Sequence, residues 1–384
     1  MRIFYEWGTK QLQKYGEELC GDNVAVARHS DYVTLALSDG LGSGVKANIL
    51  SILTTRIVMH LMENELSLSE VVETLGKTLP VCDVRKLAYS TFAIGQFFRD
   101  GRARVVEFDT PPFILLRGRK SVPVPYEERQ IERKTIRESE LQLKRGDCIV
   151  FVSDGVVNAG IGGLYPLGWG LDQIASFLQE HCHPDLSAQD LADKLAQAVW
   201  DLYCSKPGDD VSVAVIKARQ KLVATVLTGP PENGSADEAT VTKFRQRSGF
   251  LAVCGGTTAK IVARYLGGKP LEVDLATAKP DVPPLARVEG VDLATEGILT
   301  LTKTNDLLHS GANKETVKFD TDGSSALVRL CLDVDHIHFM VGLSVNPAHQ
   351  NPGLPRQLGM KLAVVREIAE ELRKRGKEVT IETI

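Results

Sequence analysis

Two strongly apolar runs in the first half of the chain end in the same tripeptide. Residues 32–37 and 148–152 each lead directly into Ser-Asp-Gly, at positions 38–40 and 153–155. A near-continuous apolar run of this length predicts a strand buried within a sheet. The glycine that follows each aspartate permits a tight turn. Both strands are therefore expected to deliver an aspartate to the point where the sheet ends.

Further aspartates occupy similar positions. Asp22 lies in a Gly-Asp-Asn sequence, and Asp209 and Asp210 directly precede another apolar run. Because a sheet brings its strand ends together, we expect these residues to cluster with Asp39 and Asp154. Clustered carboxylates repel one another unless a cation neutralises them, and the hard ions Mg²⁺ and Mn²⁺ prefer oxygen ligands. One Ser-Asp-Gly alone is usually a capped turn, but the whole set favours a site for two Mn²⁺ or Mg²⁺ ions.

The order of predicted elements divides the chain near residue 219. Residues 1–219 show strands, two helices, many strands, two helices and a last strand, which predicts an α+β sandwich of antiparallel sheets with helix pairs outside. Residues 220–384 are expected to form a separate α/β domain. Its predicted strands lie near 222–227, 250–254 and 337–343, and its predicted helices near 236–246, 257–266 and 361–375.

Composition limits the classes of partner. A length of 384 residues makes two domains the default, and a net charge of -4 gives no electrostatic reason to expect nucleic acid or an anionic membrane as a partner. The sequence suggests neither an apolar stretch near the roughly 20 residues that span a bilayer nor a secretory signal. The 7 scattered cysteines indicate free thiols, and hence a cytoplasmic location.

The order and context of the aspartate motifs resemble the metal-dependent protein phosphatase (PPM, or PP2C-like) family, and within it the branch of stage II sporulation protein E. The resemblance covers roughly residues 10–217. It implies a sandwich of two antiparallel β-sheets flanked by helix pairs, in agreement with the order of elements. The motifs that carry it are Gly-Asp at 21–22, Asp-Gly-Leu-Gly at 39–42, Thr-Pro-Pro-Phe-Ile-Leu-Leu at 110–116, Asp-Gly at 154–155 and Gly-Asp-Asp-Val-Ser-Val at 208–213.

The resemblance also implies roles for the aspartates. Asp39 would bridge the two metal ions, helped by the backbone carbonyl of Gly40, and Asp22 would hold one ion directly or through water. Asp154 and Asp209 would complete the site from the other side. The four aspartates would act in catalysis through a metal-bridging water that attacks phosphorus, so that no protein nucleophile is needed.

Three points remain open within the resemblance. Asp210 would ligate an ion, orient a water or serve a third, weaker ion. The arginine that binds phosphate in many eukaryotic relatives has no clear counterpart near Asp22, so phosphate binding is expected to rest mainly on the metals. The predicted helices over 43–64 and 68–79 correspond either to a regulatory element of the branch or to ordinary core helices.

The function implied is that of a serine/threonine protein phosphatase whose substrate is a phosphorylated regulatory protein. One alternative is a non-catalytic phosphatase-like scaffold. Another is a sensor whose C-terminal domain binds a nucleotide or other anionic ligand. A homodimer is also left open.

The C-terminal domain offers one candidate site of its own. Gly255, Gly256, Thr257 and Thr258 link a predicted strand to a predicted helix. Amides and hydroxyls at a helix N-terminus suit a small anion, although a tight turn with a threonine N-cap is the favoured interpretation. Polar loops expected at 320–325 and 346–352 would line the same cleft.

Overall fold

The computed structural model describes residues 2–78, 90–131, 134–266, 272–274, 277, 285–344 and 357–384, without the side chains of 273 and 357–359. The chain forms two compact units, Met1–Gln220 and Lys221–Ile384. Each unit has its own strands, helices and core.

Unit 1 contains two antiparallel sheets. The five-stranded sheet consists, in spatial order, of β1 (Phe4–Leu12), β11 (Val211–Arg219), β10 (Cys148–Val152), β6 (Ile114–Arg117) and β7 (Lys120–Val122). The six-stranded sheet consists of β2 (Asp22–Arg28), β3 (Tyr32–Gly40), β4 (Ser90–Phe98), β5 (Arg102–Phe108), β9 (Lys134–Gln142) and β8 (Glu127–Ile131). The predicted antiparallel arrangement is confirmed.

The strand side chains explain why the sheets stack. In β11, Ala214 and Ile216 pack into a core between the two sheets, whereas Val213 and Val215 pack on the opposite face against helices. Alternate side chains of a strand point to opposite faces, so a strand covered on both sides has a continuous apolar sequence. This is the physical origin of the apolar runs that precede the aspartates.

A pair of helices covers the outer face of each sheet. The helices α4 (Leu171–His181) and α5 (Ala188–Leu202) pack on the five-stranded sheet. The helices α1 (Gly44–Glu63) and α2 (Leu68–Thr78) pack on the six-stranded sheet. Unit 1 is therefore the predicted sandwich with helix pairs outside.

Helix α1 corrects one expectation from the sequence. It has 20 residues and, by length and composition, is the one helix among the described residues apolar enough to cross a membrane. Polar and basic residues interrupt its apolar ones, so it contains no long continuous apolar run although its mean hydropathy is high. One face, including Val58 and Met62, is fully buried in the core with Phe92 and Ile94 of the sheet. The buried core face therefore accounts for part of its apolar composition, whereas several apolar residues nearer its N-terminus are exposed.

Unit 2 is built on a seven-stranded sheet. In spatial order it contains β14 (Glu272–Asp274), β15 (Leu285–Arg287), β16 (Leu293–Thr295), β13 (Phe250–Cys254), β12 (Val223–Thr228), β17 (His336–Val341) and β18 (Glu378–Thr383). The strands from β16 to β18 are parallel, and β14 and β15 add an antiparallel edge. The predicted α/β class is confirmed.

Helices cover both faces of this sheet. On one face lie α6 (Asp237–Arg245) and α7 (Gly256–Leu266). On the other lie α8 (Ile298–His309), α9 (Gly323–Asp333) and α10 (Gln357–Lys374). A parallel sheet needs such cover on both faces because its strands are apolar on both.

The prediction of a polar loop over 320–325 is wrong for its second half, where helix α9 begins. Asp322 is the N-cap of α9, and its Oδ1 accepts hydrogen bonds from the amides of Ser324 (3.1 Å) and Ser325 (3.0 Å). Asp-Gly-Ser is as typical of a helix start as of a turn, so composition did not distinguish the two. The other expected loop, 346–352, and His349 within it lie outside the described residues.

Candidate metal centre

Two of the candidate aspartates are paired across neighbouring strands. Asp22 is the first residue of β2, and the antiparallel register places it opposite Asp39, near the end of β3. Directly opposed residues of an antiparallel pair lie on the same face of the sheet. Asp22 is only 2 % exposed, and its Oδ2 has no hydrogen-bond partner among the described residues.

The other sheet supplies the remaining aspartates. Asp154 follows β10, and Asp209 and Asp210 precede β11, its neighbour in the sheet. The two strand ends are joined by Ser153 and Ser212, since each backbone amide donates a hydrogen bond to the other residue: to the Ser212 carbonyl at 3.0 Å and to the Ser153 Oγ at 2.8 Å. The acidic positions are therefore fixed by the sheet itself.

The second Ser-Asp-Gly differs from the first in local structure. Asp154 begins a one-turn helix, α3 (Asp154–Val157), whereas the sequence suggested a loop. A Cβ atom on Gly155 would lie 2.0 Å from the carbonyl oxygen of Asp210. Glycine is needed here because two backbone segments approach closely.

Four of the predicted ligands line one cavity of about 560 Å³: Asp22, Asp39, Asp154 and Asp209. Gly40 lines it as well, and a Cβ there would lie 2.0 Å from the carbonyl oxygen of Ala47 on α1. The structure thus brings together side chains from strand ends that are up to 187 residues apart in sequence (209 − 22).

Asp210 has a different position from the other four. It is buried, it is not among the residues that line the cavity, and its Oδ1 accepts a hydrogen bond from the backbone amide of Lys14 at 2.9 Å. Of the roles left open for Asp210, this contact favours support of the neighbouring loop over direct ligation.

Crowding and burial raise the pKa of these carboxyl groups. Burial, followed by the charges of Asp22 and Asp154, raises the pKa of Asp39 to about 9. Burial also raises the pKa of Asp22 to about 7, although the hydroxyls of Ser153 and Ser212 oppose the rise. Burial and then Asp209 raise the pKa of Asp154. Carboxylates collected at this cost are typical of a functional site, where a cation restores their charge.

The donor set fits hard divalent cations. The donors are carboxylate oxygens, and the Oδ2 of Asp22 is buried without a partner. No three described His, Cys, Asp or Glu residues already surround a single point at metal-ligand distances. That geometry is compatible with Mg²⁺, which keeps several waters and usually takes only one or two carboxylates. Mutual repulsion spreads carboxylates that have no cation between them, so a shared cavity and the strand register are the features that mark such a site.

One residue of the cavity was missed from the sequence. Lys14 is the single basic residue among the described residues that line it, and its Nζ lies 3.9 Å from the Oδ1 of Asp209. Lys14 belongs to the loop between β1 and β2, where no motif marked it. Thr110 and Pro111 of the Thr-Pro-Pro motif also line the cavity, together with Asp109.

Comparison with known proteins identifies the family. The model of stage II sporulation protein E (SpoIIE) matches residues 29–219, which include Asp39, Asp154, Asp209 and Asp210. Asp22 and Lys14 lie before the matched residues, so their place at the site rests on the geometry. No curated protein sequence matches the chain.

Solved structures of PP2C phosphatase domains resemble unit 1. The PP2C domain with a fragment of the regulatory domain of SpoIIE from Bacillus subtilis has 20% identity and a TM-score of 0.50, covering 57% of this chain and 64% of that one. The phosphatase domain of the same protein, in a crystal form without domain swapping, has 20% identity and a TM-score of 0.45, covering 57% and 94%. RsbX in complex with magnesium has 17% identity and a TM-score of 0.42, covering 56% and 98%.

At these identities the likeness concerns the fold alone. The family match, the order of the aspartates and the two-sheet sandwich agree with one another. Over residues 29–219 the chain therefore belongs to the SpoIIE family of PP2C-like phosphatase domains.

Proposed function

We propose that unit 1 is a Mn²⁺- or Mg²⁺-dependent phosphatase that hydrolyses phosphoserine or phosphothreonine on a regulatory protein in the cytoplasm. The observation that carries the proposal is the convergence of four aspartates, two from each sheet, on one cavity. Membership of a PP2C-like family supports the same reaction class. Carboxylates gathered from both sheets suit a pair of divalent ions.

The aspartates would share the ions between them. Asp39 lies beside Asp22 and is close enough to Asp154 and Asp209 for their charges to raise its pKa. It is therefore the best placed of the four to be shared between two ions. Each of the other three aspartates would contribute to the binding of one ion. Bound divalent ions supply the positive charge and the activated water that phosphoryl transfer needs.

Lys14 would bind the phosphoryl group of the substrate. Its side chain is 36% exposed and lines the cavity, and its backbone is held by Asp210. An ammonium group binds phosphate oxygens as a point charge. This assignment changes the expectation from sequence, in which phosphate binding rested on the metals alone.

The test is hydrolysis of p-nitrophenyl phosphate and of a phosphoserine peptide with Mn²⁺, by the wild-type protein and by Asp39→Asn. The variant keeps the size of the side chain and removes its charge, so it should lose nearly all activity. Equal activity in the two proteins would overturn the proposed site. If neither protein has measurable activity and the wild type does not bind Mn²⁺, the non-catalytic scaffold would be supported instead.

A further inference from the structure

The strand order of unit 2 reverses between β12 and β17. From β12 the chain continues to β13 and then to β16 on one side of the sheet. It then crosses to the other side of β12 and adds β17 and β18. In open parallel sheets, ligands bind in the crevice beyond the carboxyl ends of the strands at such a reversal. The ends of β12 and β17 are therefore where this rule places a ligand.

Close backbone contacts join these two strand ends. The Gly342 amide after β17 donates a hydrogen bond to the carbonyl of Thr228 at 2.8 Å. A Cβ on Gly342 would lie 2.1 Å from the carbonyl oxygen of Pro230. Gly229 has a φ of +81° and continues β12 into this turn. Side chains are excluded at both glycines because the two strand ends pack closely on each other and on Lys361.

The ammonium group of Lys361 reaches this junction from α10. Its Nζ lies 3.5 Å from the carbonyl oxygen of Gly342, and a Cβ on Gly229 would be 2.3 Å from it. The side chain is half-buried, and burial lowers its pKa. Among the described residues no carboxylate forms an ion pair with it. A partly desolvated cation without a counter-charge is costly, and an anion would offset that cost.

A second donor lies on the same face of the sheet. Thr228 is fully buried, and its Oγ1 has no hydrogen-bond partner among the described residues. Strand alternation places it with Ala224 and Val226, which belong to the core that includes α10. The hydroxyl of Thr228 and the ammonium of Lys361 are therefore on the same face and at the same edge.

The turn predicted from sequence as an anion site is less suitable. A Cβ on Gly256, the first residue of α7, would lie 3.2 Å from the Oε1 of Glu296. A carboxylate thus already occupies the approach to this helix N-terminus, where an anionic ligand would have to sit. Lys361, on the other side of β12, has no carboxylate ion-pair partner in the part of the chain that the structure describes.

We propose that the crevice between the ends of β12 and β17 binds the phosphate group of a small molecule, with Lys361 and Thr228 as donors. The ammonium supplies the charge, and the threonine hydroxyl supplies a directional hydrogen bond. This site is independent of the aspartate cavity in unit 1. Both inorganic phosphate and a nucleotide carry the required group.

Isothermal titration calorimetry on the full chain tests the proposal. The protein is first freed of metal by chelation, so that ions in unit 1 do not bind the probe, and is titrated with inorganic phosphate, AMP and adenosine. Phosphate or AMP should bind saturably at millimolar concentration or below. Affinity for AMP alone would identify a nucleotide site, and affinity for phosphate alone a site for the free ion.

Three variants show whether the named groups are responsible. Lys361→Ala should weaken binding by about ten- to hundredfold, the range for a hydrogen bond to a charged group. Lys374→Ala removes an exposed lysine of the same helix and should leave binding unchanged. Thr228→Val keeps the shape of the side chain and should weaken binding without lowering the Tm, because no hydrogen bond of the unliganded protein is lost.

Three results would overturn the proposal. The first is the absence of saturable binding of both phosphate and AMP. The second is an unchanged affinity in Lys361→Ala, and the third is an affinity for adenosine equal to that for AMP. Each of them leaves the phosphatase proposal for unit 1 untouched, since no step of this experiment depends on hydrolysis.

Discussion

Asp22 and Asp39 face each other across the β2–β3 pair, and both have a raised pKa. Two acids buried side by side cannot both ionise easily without a cation. The same pairing that makes this position unfavourable for carboxylates makes it favourable for divalent ions. The proposed metal ions would therefore stabilise the folded protein at the same site where they would support catalysis.

The first prediction concerns the pH dependence of the metal-free protein. The pKa of Asp39 is about 9 in the folded state and 3.8 ordinarily, so between these pH values the folded state holds more protons than the unfolded state. Stability must then fall as the pH rises through this window. Urea denaturation of chelated protein at pH 5.5 and pH 8.5 should show the decrease.

Asp39→Asn is the matched variant for that measurement. Without the titrating group, its stability should depend less on pH, and at pH 8.5 the metal-free variant should be more stable than the metal-free wild type. Saturating Mn²⁺ should raise the stability of the wild type more than that of the variant. A wild type that becomes more stable with rising pH across this window would contradict the assigned pKa shifts.

The second prediction concerns Lys14. Replacing it with alanine should raise the KM for a phosphoserine peptide by about tenfold, because one charged hydrogen bond to phosphate is lost. Lys14→Arg should restore much of the affinity, and the Mn²⁺ affinity should not fall. Steady-state kinetics at saturating Mn²⁺ measure the KM, and calorimetric titration of Mn²⁺ into the chelated protein measures the Mn²⁺ affinity.

Lys10→Ala provides the control for Lys14. Lys10 is an exposed lysine of β1 that pairs with Asp193 and does not line the cavity. Its replacement should leave the KM unchanged. If Lys14→Ala behaves in the same way, phosphate binding rests on the metals, as the sequence first indicated.

The third prediction concerns the close approach at Gly155. A Cβ there would lie 2.0 Å from a backbone carbonyl oxygen, so Gly155→Ala should destabilise unit 1 by about 1–3 kcal/mol. Gly163→Ala is the control, since its nearest contact would be at 3.5 Å and its effect should stay within about 0.5 kcal/mol. Midpoints of urea denaturation give both values, and equal midpoints would contradict the described packing.

Much of unit 1 could be predicted because its signals are local. The runs before Asp39 and Asp154 are continuous because each strand is covered on both faces, and the glycine that follows each aspartate is required by contacts with Ala47 or Asp210. Lys14 could not be found in this way, because its role depends on a loop crossing over to Asp209. Only the assembled sheets reveal that distance.

Unit 2 was predicted less completely for equally physical reasons. Helix α8 contains Thr300, Thr302 and Thr304, and β-branched residues weaken a helical pattern. Strand β16 has only three residues, and β18 is an edge strand with polar or charged residues at alternate positions. The reversal at β12, on which the proposed phosphate site depends, is a property of strand order that no local pattern encodes.

The central claim is that the aspartates of unit 1 form one metal centre, and calorimetric titration of Mn²⁺ into the chelated protein tests it most directly. The wild type should bind two ions, and Asp39→Asn should lose at least one binding event, because Asp39 is the proposed bridge. Asp306→Asn, at an exposed position on α8, should bind Mn²⁺ like the wild type. Equal Mn²⁺ binding by Asp39→Asn and the wild type would contradict the account.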